Sequence, residues 1–317
     1  MTLRLTVSTE LWRNHLATTA LAYGEMVPVV KGNGYGFGRA ALMPEAAKIS
    51  RTVAVGSVFE VADAPAASTT IVLTPVGIDL PQPLPKQTIL TVGSLHHVAT
   101  LRSGGWVGPV IIKLQSRMLR YGATSAELPD LLAAVRDAGC TQVGWSVHPP
   151  LDGAPAQHRD DISQWLAQID ASFPIYVSHL DAESVQQLRS DFKQHRIVAR
   201  VGTALWLGDK STMQLHTDVL DTRVVKAGAT AGYRNTKIST DGTIVLVGAG
   251  SAHGVHTVGD DLSPFHFRRQ RLRLLEPSHM HTSMLFMPAG ETCAQPGDLV
   301  DVQQPLTRVV ADTIYWT

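Results

Sequence analysis

Cysteine is nearly absent. The 317 residues hold two, Cys140 and Cys293, too far apart to suggest a disulfide framework, so both are expected as free thiols in a reducing compartment. A charge bias is also missing: 27 basic residues balance 27 acidic ones, leaving no general field to attract nucleic acid or an anionic membrane. No apolar run approaches the length needed to cross a bilayer. The opening residues Met1-Thr2-Leu3-Arg4-Leu5-Thr6-Val7 alternate like a strand and lack the apolar core of a signal peptide. The paired cysteine and histidine spacings of a zinc site do not occur. These absences predict a cytoplasmic globular protein with no metal, membrane or nucleic-acid partner.

What is present is a rhythm. Short apolar runs rich in β-branched residues, at 27–31, 53–58, 70–73, 88–92, 110–114, 142–147, 175–178 and 198–201, alternate with amphipathic stretches at 40–49, 127–138, 161–171 and 182–192. Eight strands with intervening helices predict a parallel (β/α)8 barrel of the TIM type rather than a sandwich. The connections at 63–69 and 80–86 carry little helical pattern. Beyond about residue 217, runs at 222–226, 243–247, 284–287 and 299–302 are separated by turns such as Ser239-Thr240-Asp241-Gly242 and Gln295-Pro296-Gly297-Asp298. That pattern predicts a mostly antiparallel β domain. The domains are set at 10–217 and 218–317, with the strand at 1–9 attached to the β domain. The basic stretch Arg268-Arg269-Gln270-Arg271-Leu272-Arg273 reads as a solvated or interface-facing segment, with an anion site as the alternative. Repeats and low-complexity tails are not seen.

The most informative segment is Val29-Val30-Lys31-Gly32-Asn33-Gly34-Tyr35-Gly36-Phe37-Gly38. An apolar strand would deliver one lysine to its C-terminal tip, where the active sites of α/β barrels lie. Desolvation there favours the neutral amine, the form that makes a Schiff base with an aldehyde. A plain strand followed by a turn is the alternative. The order Lys-Gly-Asn-Gly-Tyr-Gly-Phe-Gly closely resembles the pyridoxal-phosphate (PLP) lysine motif of alanine racemases, Lys-Ala-Asn-Ala-Tyr-Gly-His-Gly.

Further segments carry that resemblance along the chain. Lys113-Leu114-Gln115-Ser116-Arg117-Met118-Leu119-Arg120-Tyr121-Gly122 resembles the family's Lys-x-Asp-Thr-Gly-Met-x-Arg-x-Gly, with Gln115 and Arg117 as departures. It implies that Arg120 bonds the cofactor phenolate and helps place the substrate carboxylate, and that Lys113 matches a lysine some racemases carry carbamylated. Ordinary surface charges are the other reading of both. Ser146-Val147-His148-Pro149 resembles the Thr-His-Phe strand end, which sets His148 near the cofactor ring. Ser184 falls close to a phosphate-binding serine, while N-capping by Asp181 would explain the same segment. Arg200-Val201-Gly202-Thr203-Ala204-Leu205-Trp206 resembles Arg-Pro-Gly-Ile-Ala-Leu-Tyr. The resemblance places Arg200 at the pyridine nitrogen, the N–H groups of Gly202 and Thr203 at the phosphate, and Tyr35 at the same phosphate. A guanidinium cannot accept a proton, so it discourages protonation of that nitrogen.

The C-terminal matches are looser. Ala249-Gly250-Ser251-Ala252-His253-Gly254 lines up with Ile-Gly-Tyr-Ala-Asp-Gly, so Ser251 stands where the family has a tyrosine that enters the partner subunit's site as second acid/base, and His253 stands on the aspartate. Met280 falls on a methionine lining the substrate pocket, and His281 on an aspartate. Racemisation needs an acid/base on each face of Cα. Lys31 serves one face; a serine hydroxyl is too weak for the other. Among His253, His256, His279 and His281, whose imidazoles titrate closer to neutrality, His253 is taken as the replacement with His281 second. Solvent-facing or dimer-seam histidines are the alternative. The resemblance thus implies a homodimeric, PLP-dependent racemase of a small amino acid, alanine by analogy. The alternatives are a non-racemising PLP-binding paralogue or a fold-type III decarboxylase; Arg200 argues against the latter, and Cys293 leaves it open.

Overall fold

The computed structural model describes residues 2–81 and 83–317. The chain forms two compact units: one holds the residues up to Asn14, Tyr35–Phe37 and Asp209–Thr317, the other His15–Gly34 and Gly38–Gly208. Strand β1 (Leu3–Val7) and helix α1 (Thr9–Tyr23) open the chain. The second unit continues through β2 (Met26–Pro28), α2 (Arg39–Ile49), β3 (Thr52–Val55), β4 (Thr69–Val72), β5 (Thr88–Val92), α3 (Leu95–Ser103), β6 (Pro109–Lys113), α4 (Leu128–Asp137), β7 (Thr141–Ser146), α5 (Pro155–Leu166), β8 (Ile175–Val177), α6 (Ala182–Asp191), β9 (Ile197–Val201) and α7 (Thr203–Leu207). Its eight strands are parallel in the order β2-β9-β8-β7-β6-β5-β4-β3. A single parallel bridge, Val29 to Ala54, closes the ring. The expected TIM-like barrel is therefore formed.

Strands β5 and β9 are buried at every residue, which is why they read as unbroken apolar runs rather than alternating ones. Val27, Ala54, Ile71, Ile89, Ile111 and Val198 meet in one core cluster of the barrel. Several sequence boundaries need correction. The β2 ladder stops at Pro28, because proline follows Val27 and the chain then turns toward glycines. Helix α5 occupies 155–166 rather than 161–171: Pro155, with φ preset, starts it, and His158, Ile162, Trp165 and Leu166 form its buried face. Helix α3 was not foreseen, since adjacent His96 and His97 blur its apolar stripe; Ser94 caps it through the His97 N–H. The helix-poor connections are real: a 3-10 segment, Val58–Asp63, follows β3, and no helix joins β4 to β5 among the described residues.

The other unit is antiparallel apart from one pair. Its strands are β10 (Met213–Val225), β11 (Thr230–Ala231), β12 (Thr236–Lys237), β13 (Gly242–Val247), β14 (Phe265–Phe267), β15 (Gln270–Arg271), β16 (Arg273–Leu274), β17 (Ser283–Pro288), β18 (Leu299–Val302) and β19 (Thr313–Trp316). The main sheet runs β15-β14-β18-β10-β13-β17-β16, with β1 pairing β10 antiparallel and β19 parallel. Strand β10 begins nine residues earlier than the apolar run at 222 suggested (213 against 222), because its first half is held by β1 and β18. The basic stretch becomes the β14–β15 turn, with Arg268 and Arg269 exposed and at positive φ. No helix among the described residues is long and apolar enough to cross a membrane.

Trp12 is fully buried in this unit and packs on Phe37 (ring centroids 5.2 Å apart) and Trp316 (5.3 Å), stapling both chain ends and the segment after Lys31 into one core. Trp12→Ala should cost about 3–5 kcal/mol in denaturant unfolding, whereas Leu21→Ala, at an exposed position, should be close to neutral. Equal effects of the two substitutions would contradict this packing.

Candidate active site

Lys31 leaves the barrel just past the Val29 bridge, and one carboxylate fixes the backbone around it. Glu60 accepts from the Gly32 N–H (3.0 Å) and the Gly56 N–H (2.6 Å). A Cβ on Gly56 would lie 3.2 Å from Lys31 Cβ and 3.0 Å from Glu60 Oε2, so glycine lets the end of β3 come this close. Arg39 braces Glu60 at 3.9 Å and pairs with Asp63 at 2.6 Å. Glu60 escaped the sequence reading because no motif marks it; its place shortly after a strand end was the only signal. The Lys31 side chain stays accessible from the barrel mouth. Its amine is nonetheless shifted below the ordinary lysine range, first by loss of hydration, then by Arg120 and Arg200, with Glu60 opposing.

The mouth is strongly cationic. Arg200, at the end of β9, is 7% exposed; its Nη2 donates to the Val147 carbonyl (2.9 Å), while its Nε is buried with no partner among the described residues. Burial lowers its pKa to about 10, still charged at neutrality. Lys113, at the end of β6, is 5% exposed and its amine hydrogen-bonds, among the described residues, only the Ser146 hydroxyl, at 3.5 Å. Burial, then Arg200 and Arg120, push its amine well below the ordinary range. It is no surface charge. Arg120 is exposed, with its guanidinium 4.5 Å over the Tyr121 ring, and both line a cavity of about 560 Å³ together with Gly93, His97 and Gly122. The loop that carries Arg120 is tied down at three points: Ser116 Oγ to the His148 carbonyl (2.7 Å), Trp165 Nε1 to the Gln115 carbonyl (2.7 Å), and Arg117 to Asp161 (2.8 Å).

His148 follows β7, half-buried, and is held neutral by burial, then by Arg200, Lys113, His179 and Arg120. Its ring lies 4.3 Å from that of His179, whose Nδ1 donates to the Pro149 and Pro150 carbonyls (3.0 and 3.1 Å). His179, at φ +58, joins the site although sequence reasoning gave it no role. Gly202 and Thr203 open helix α7 at the barrel rim; the first N–H groups of a helix have no intrahelical acceptor. Ser184 lies buried in the first turn of α6, where Asp181 accepts its N–H (2.7 Å) and its hydroxyl accepts from Arg159 (3.1 Å). Asp181 is thus the helix cap, as the alternative reading had it. Tyr35 is buried at φ +55 and belongs to the β unit with Gly36 and Phe37.

In the β unit, Ser251 and Met280 are neighbours along paired loops: Ser251 N–H donates to the His279 carbonyl (2.8 Å) and Ala252 N–H to that of Met280 (2.9 Å). Met280 is exposed. His253 is buried, and both ring nitrogens are engaged: Nδ1 accepts the Gly250 N–H (3.1 Å), and Nε2 faces Asp312 (3.3 Å). With its lone pair committed, His253 is a structural brace rather than the available base expected from sequence.

Residues 10–210 match the family model for the alanine racemase N-terminal domain. The chain belongs to the alanine racemase family. Solved members of the family share its fold across the full length. The chain is 19% identical to the alanine racemase from Bartonella henselae with covalently bound pyridoxal phosphate, with a TM-score of 0.77 and 99% of each chain covered. It is 19% identical to the biosynthetic alanine racemase from Pseudomonas aeruginosa (TM-score 0.75, 100% of this chain and 99% of that one). To the enzyme from Bacillus anthracis with bound L-Ala-P it is again 19% identical (TM-score 0.74, 95% of this chain and 85% of that one). No curated protein matches the sequence.

The cofactor that the family implies fits the residues present. The Arg200 Nε is a buried donor lacking an acceptor among the described residues, and the guanidinium charges of Arg120 and Arg200, with the amines of Lys31 and Lys113 beside them, face one nearby carboxylate, Glu60, an excess of donors that suits an anionic ligand. Lys113 supplies a test of this electrostatics without any ligand. It sheds its proton in the fold at a pH where the unfolded chain keeps it, so the unfolded state binds more protons. Stability should therefore rise with pH, from the depressed folded pKa up to the ordinary lysine value. Lys113→Met should flatten that rise and stabilise the cofactor-free protein near neutrality by about 1–3 kcal/mol. A less stable variant in denaturant unfolding would show that the amine is better satisfied than this geometry allows.

Proposed function

We propose that this protein is a pyridoxal-phosphate-dependent racemase of a small amino acid, alanine by analogy with its family, working as a homodimer. The observation that carries the reading is the buried Arg200 with its unpaired Nε, set beside a lysine shifted toward the neutral amine. Bound PLP supplies an electron-withdrawing ring that acidifies the Cα–H of an amino acid joined to it. Lys31 Nζ is the amine that tethers the cofactor and, once released, moves a proton to or from one face of Cα. Arg200, whose buried Nε–H lacks an acceptor, would hold the ring nitrogen as a donor and, being a guanidinium that cannot accept a proton, would disfavour protonation there. Gly202 and Thr203 present N–H groups to the phosphate, and Arg120 orients the substrate carboxylate. His148, neutral among these cations, offers a hydrogen bond without adding charge. A guanidinium at Arg200 rather than a carboxylate disfavours the decarboxylase reading.

The homodimer is supported by the barrel rim. The loops after β3, β4, β6 and β7 leave large apolar side chains exposed: Phe59, Ile78, Met118 with Leu119, and Leu151. Apolar rims of this kind mark interaction surfaces, and a second copy closing the mouth would exclude water from Lys31. The absent tyrosine at Ser251 favours one competing reading, a protein that binds PLP but does not invert substrate.

Reconstituted protein should show a visible absorbance band that is lost in Lys31→Ala. It should also incorporate deuterium at Cα of both L- and D-alanine with inversion. Exchange without inversion would mark a one-base enzyme, and no exchange with any amino acid would support the non-racemising protein. Sedimentation should show a dimer that dissociates in the double variant Ile78→Asp, Leu151→Asp; a wild-type monomer would remove the shared site.

A further inference from the structure

The chain around Lys31 is gripped where the strand ladder runs out, and the grip lies wholly within the barrel unit. We infer that Glu60, held by Arg39 and Asp63, is a positioning residue: it fixes the backbone of Lys31 to the end of β3 and is the carboxylate set against the guanidinium groups of the mouth. The inference rests on the reading of Lys31 as the cofactor-bearing lysine and adds a residue to that same site.

Ladder hydrogen bonds reach Lys31 from one side only. The Val30 N–H donates to the Ala54 carbonyl of β3 (2.8 Å). The end of β3 is in turn held from beyond β4, where the Leu73 N–H donates to the Val55 carbonyl and the Thr74 N–H to that of Gly56, both at 2.9 Å. One residue past Lys31 the chain turns out of the ladder, at exposed Gly32 with φ +60. Both backbone groups of Gly32 are then taken by side chains. Glu60 Oε1 accepts its N–H (3.0 Å), and Arg39 Nη1 donates to its carbonyl. The second oxygen of Glu60 accepts the Gly56 N–H (2.6 Å), so one carboxylate bridges two strand ends where no ladder carbonyl remains. Asp63 fixes Arg39 at 2.6 Å, and the Gly34 N–H closes the turn onto the Lys31 carbonyl (3.0 Å).

Water could satisfy the N–H of an exposed glycine, so pairing that group does not require a carboxylate. What the clamp supplies is stiffness. A lysine side chain is long and flexible, and displacing a reacting group by about 1 Å can cost about 10²-fold in rate. Holding the backbone on both sides, at Val30 and at Gly32, removes the part of that freedom that lies below the side chain. The clamp also carries charge. Arg120 after β6, Arg200 at the end of β9 and Glu60 after β3 act on the Lys31 amine, and His179 after β8 is acted on by it. Glu60 is the one acid among these, and it opposes the proton loss that burial and the two guanidinium groups favour. An amine that must both take and return a proton needs that balance.

Glu60→Gln keeps the length of the side chain, removes its charge and sets an amide NH2 against one of the two N–H groups. In holoenzyme it should lower kcat for alanine interconversion by about 10–10²-fold with KM little changed, since the substrate carboxylate is held at Arg120. In cofactor-free protein, competitive labelling of Lys31 with acetic anhydride should place the proton loss of its amine at lower pH in Glu60→Gln than in wild type. Glu60→Asp, still charged but too short to span both strand ends, should return the labelling profile toward wild type while kcat stays low. Either an unchanged kcat or an unchanged profile in Glu60→Gln would overturn the inference. Amide hydrogen exchange on the wild-type protein needs no variant: the Gly32 N–H, exposed and outside any ladder, should exchange well below its intrinsic rate. Exchange at the intrinsic rate would overturn the clamp even if Glu60→Gln failed to fold. A cofactor-loaded wild type that exchanges neither alanine enantiomer would instead overturn the racemase reading, with the amide and labelling results still deciding the role of Glu60.

Discussion

A guanidinium taken out of water at the end of β9 sets the conditions for everything near it. Arg200 is anchored by one carbonyl, Val147, and leaves a second donor without an acceptor. Burial first, and then the charges of Arg200 and Arg120, lower the pKa of Lys31, Lys113 and His148, so three neighbouring bases lean toward their neutral forms. Such an arrangement is costly in isolation and becomes favourable only when an anionic, acceptor-bearing group completes it. The barrel supplies the rigidity: the strand that carries Arg200, β9, lies between β2 and β8, and the order around the ring decides which side chains share its field.

The departures from the family pattern are held by local chemistry. At Gln115 and Arg117 the loop lacks the family's aspartate and glycine, yet it is fastened through the Gln115 carbonyl to Trp165 and through Arg117 to Asp161. Arg120 therefore keeps a defined base although its own side chain reaches into solvent. In the β unit Ser251, where the resemblance sets the family's tyrosine, adjoins a carboxylate–imidazole pair, linked to it by the Ser251–His279 hydrogen bond.

Much of the fold was legible in the chain. Parallel strands covered on both faces appear as unbroken β-branched runs, and all eight stood out. Helix α3 did not, because two histidines interrupt its apolar face, and α5 was placed late because Pro155 reads as a breaker before it reads as a first residue. In the site, Lys31, Arg200 and Arg120 were recognisable from their order among glycines. Glu60 was not, since its role is to accept N–H groups from two separate strand ends.

The sequence by itself determined the family, the barrel and the lysine at its mouth, because those depend on local periodicity and short motifs. Only the tertiary structure decided which bases are available. Whether a histidine is a brace or a base depends on what its two nitrogens meet, and those of His253 meet Gly250 and Asp312. Spacing along the chain does not show this; hydrogen-bond geometry does. In the same way, Lys113 became a buried, nearly unpartnered amine only when β6 and β7 were set side by side.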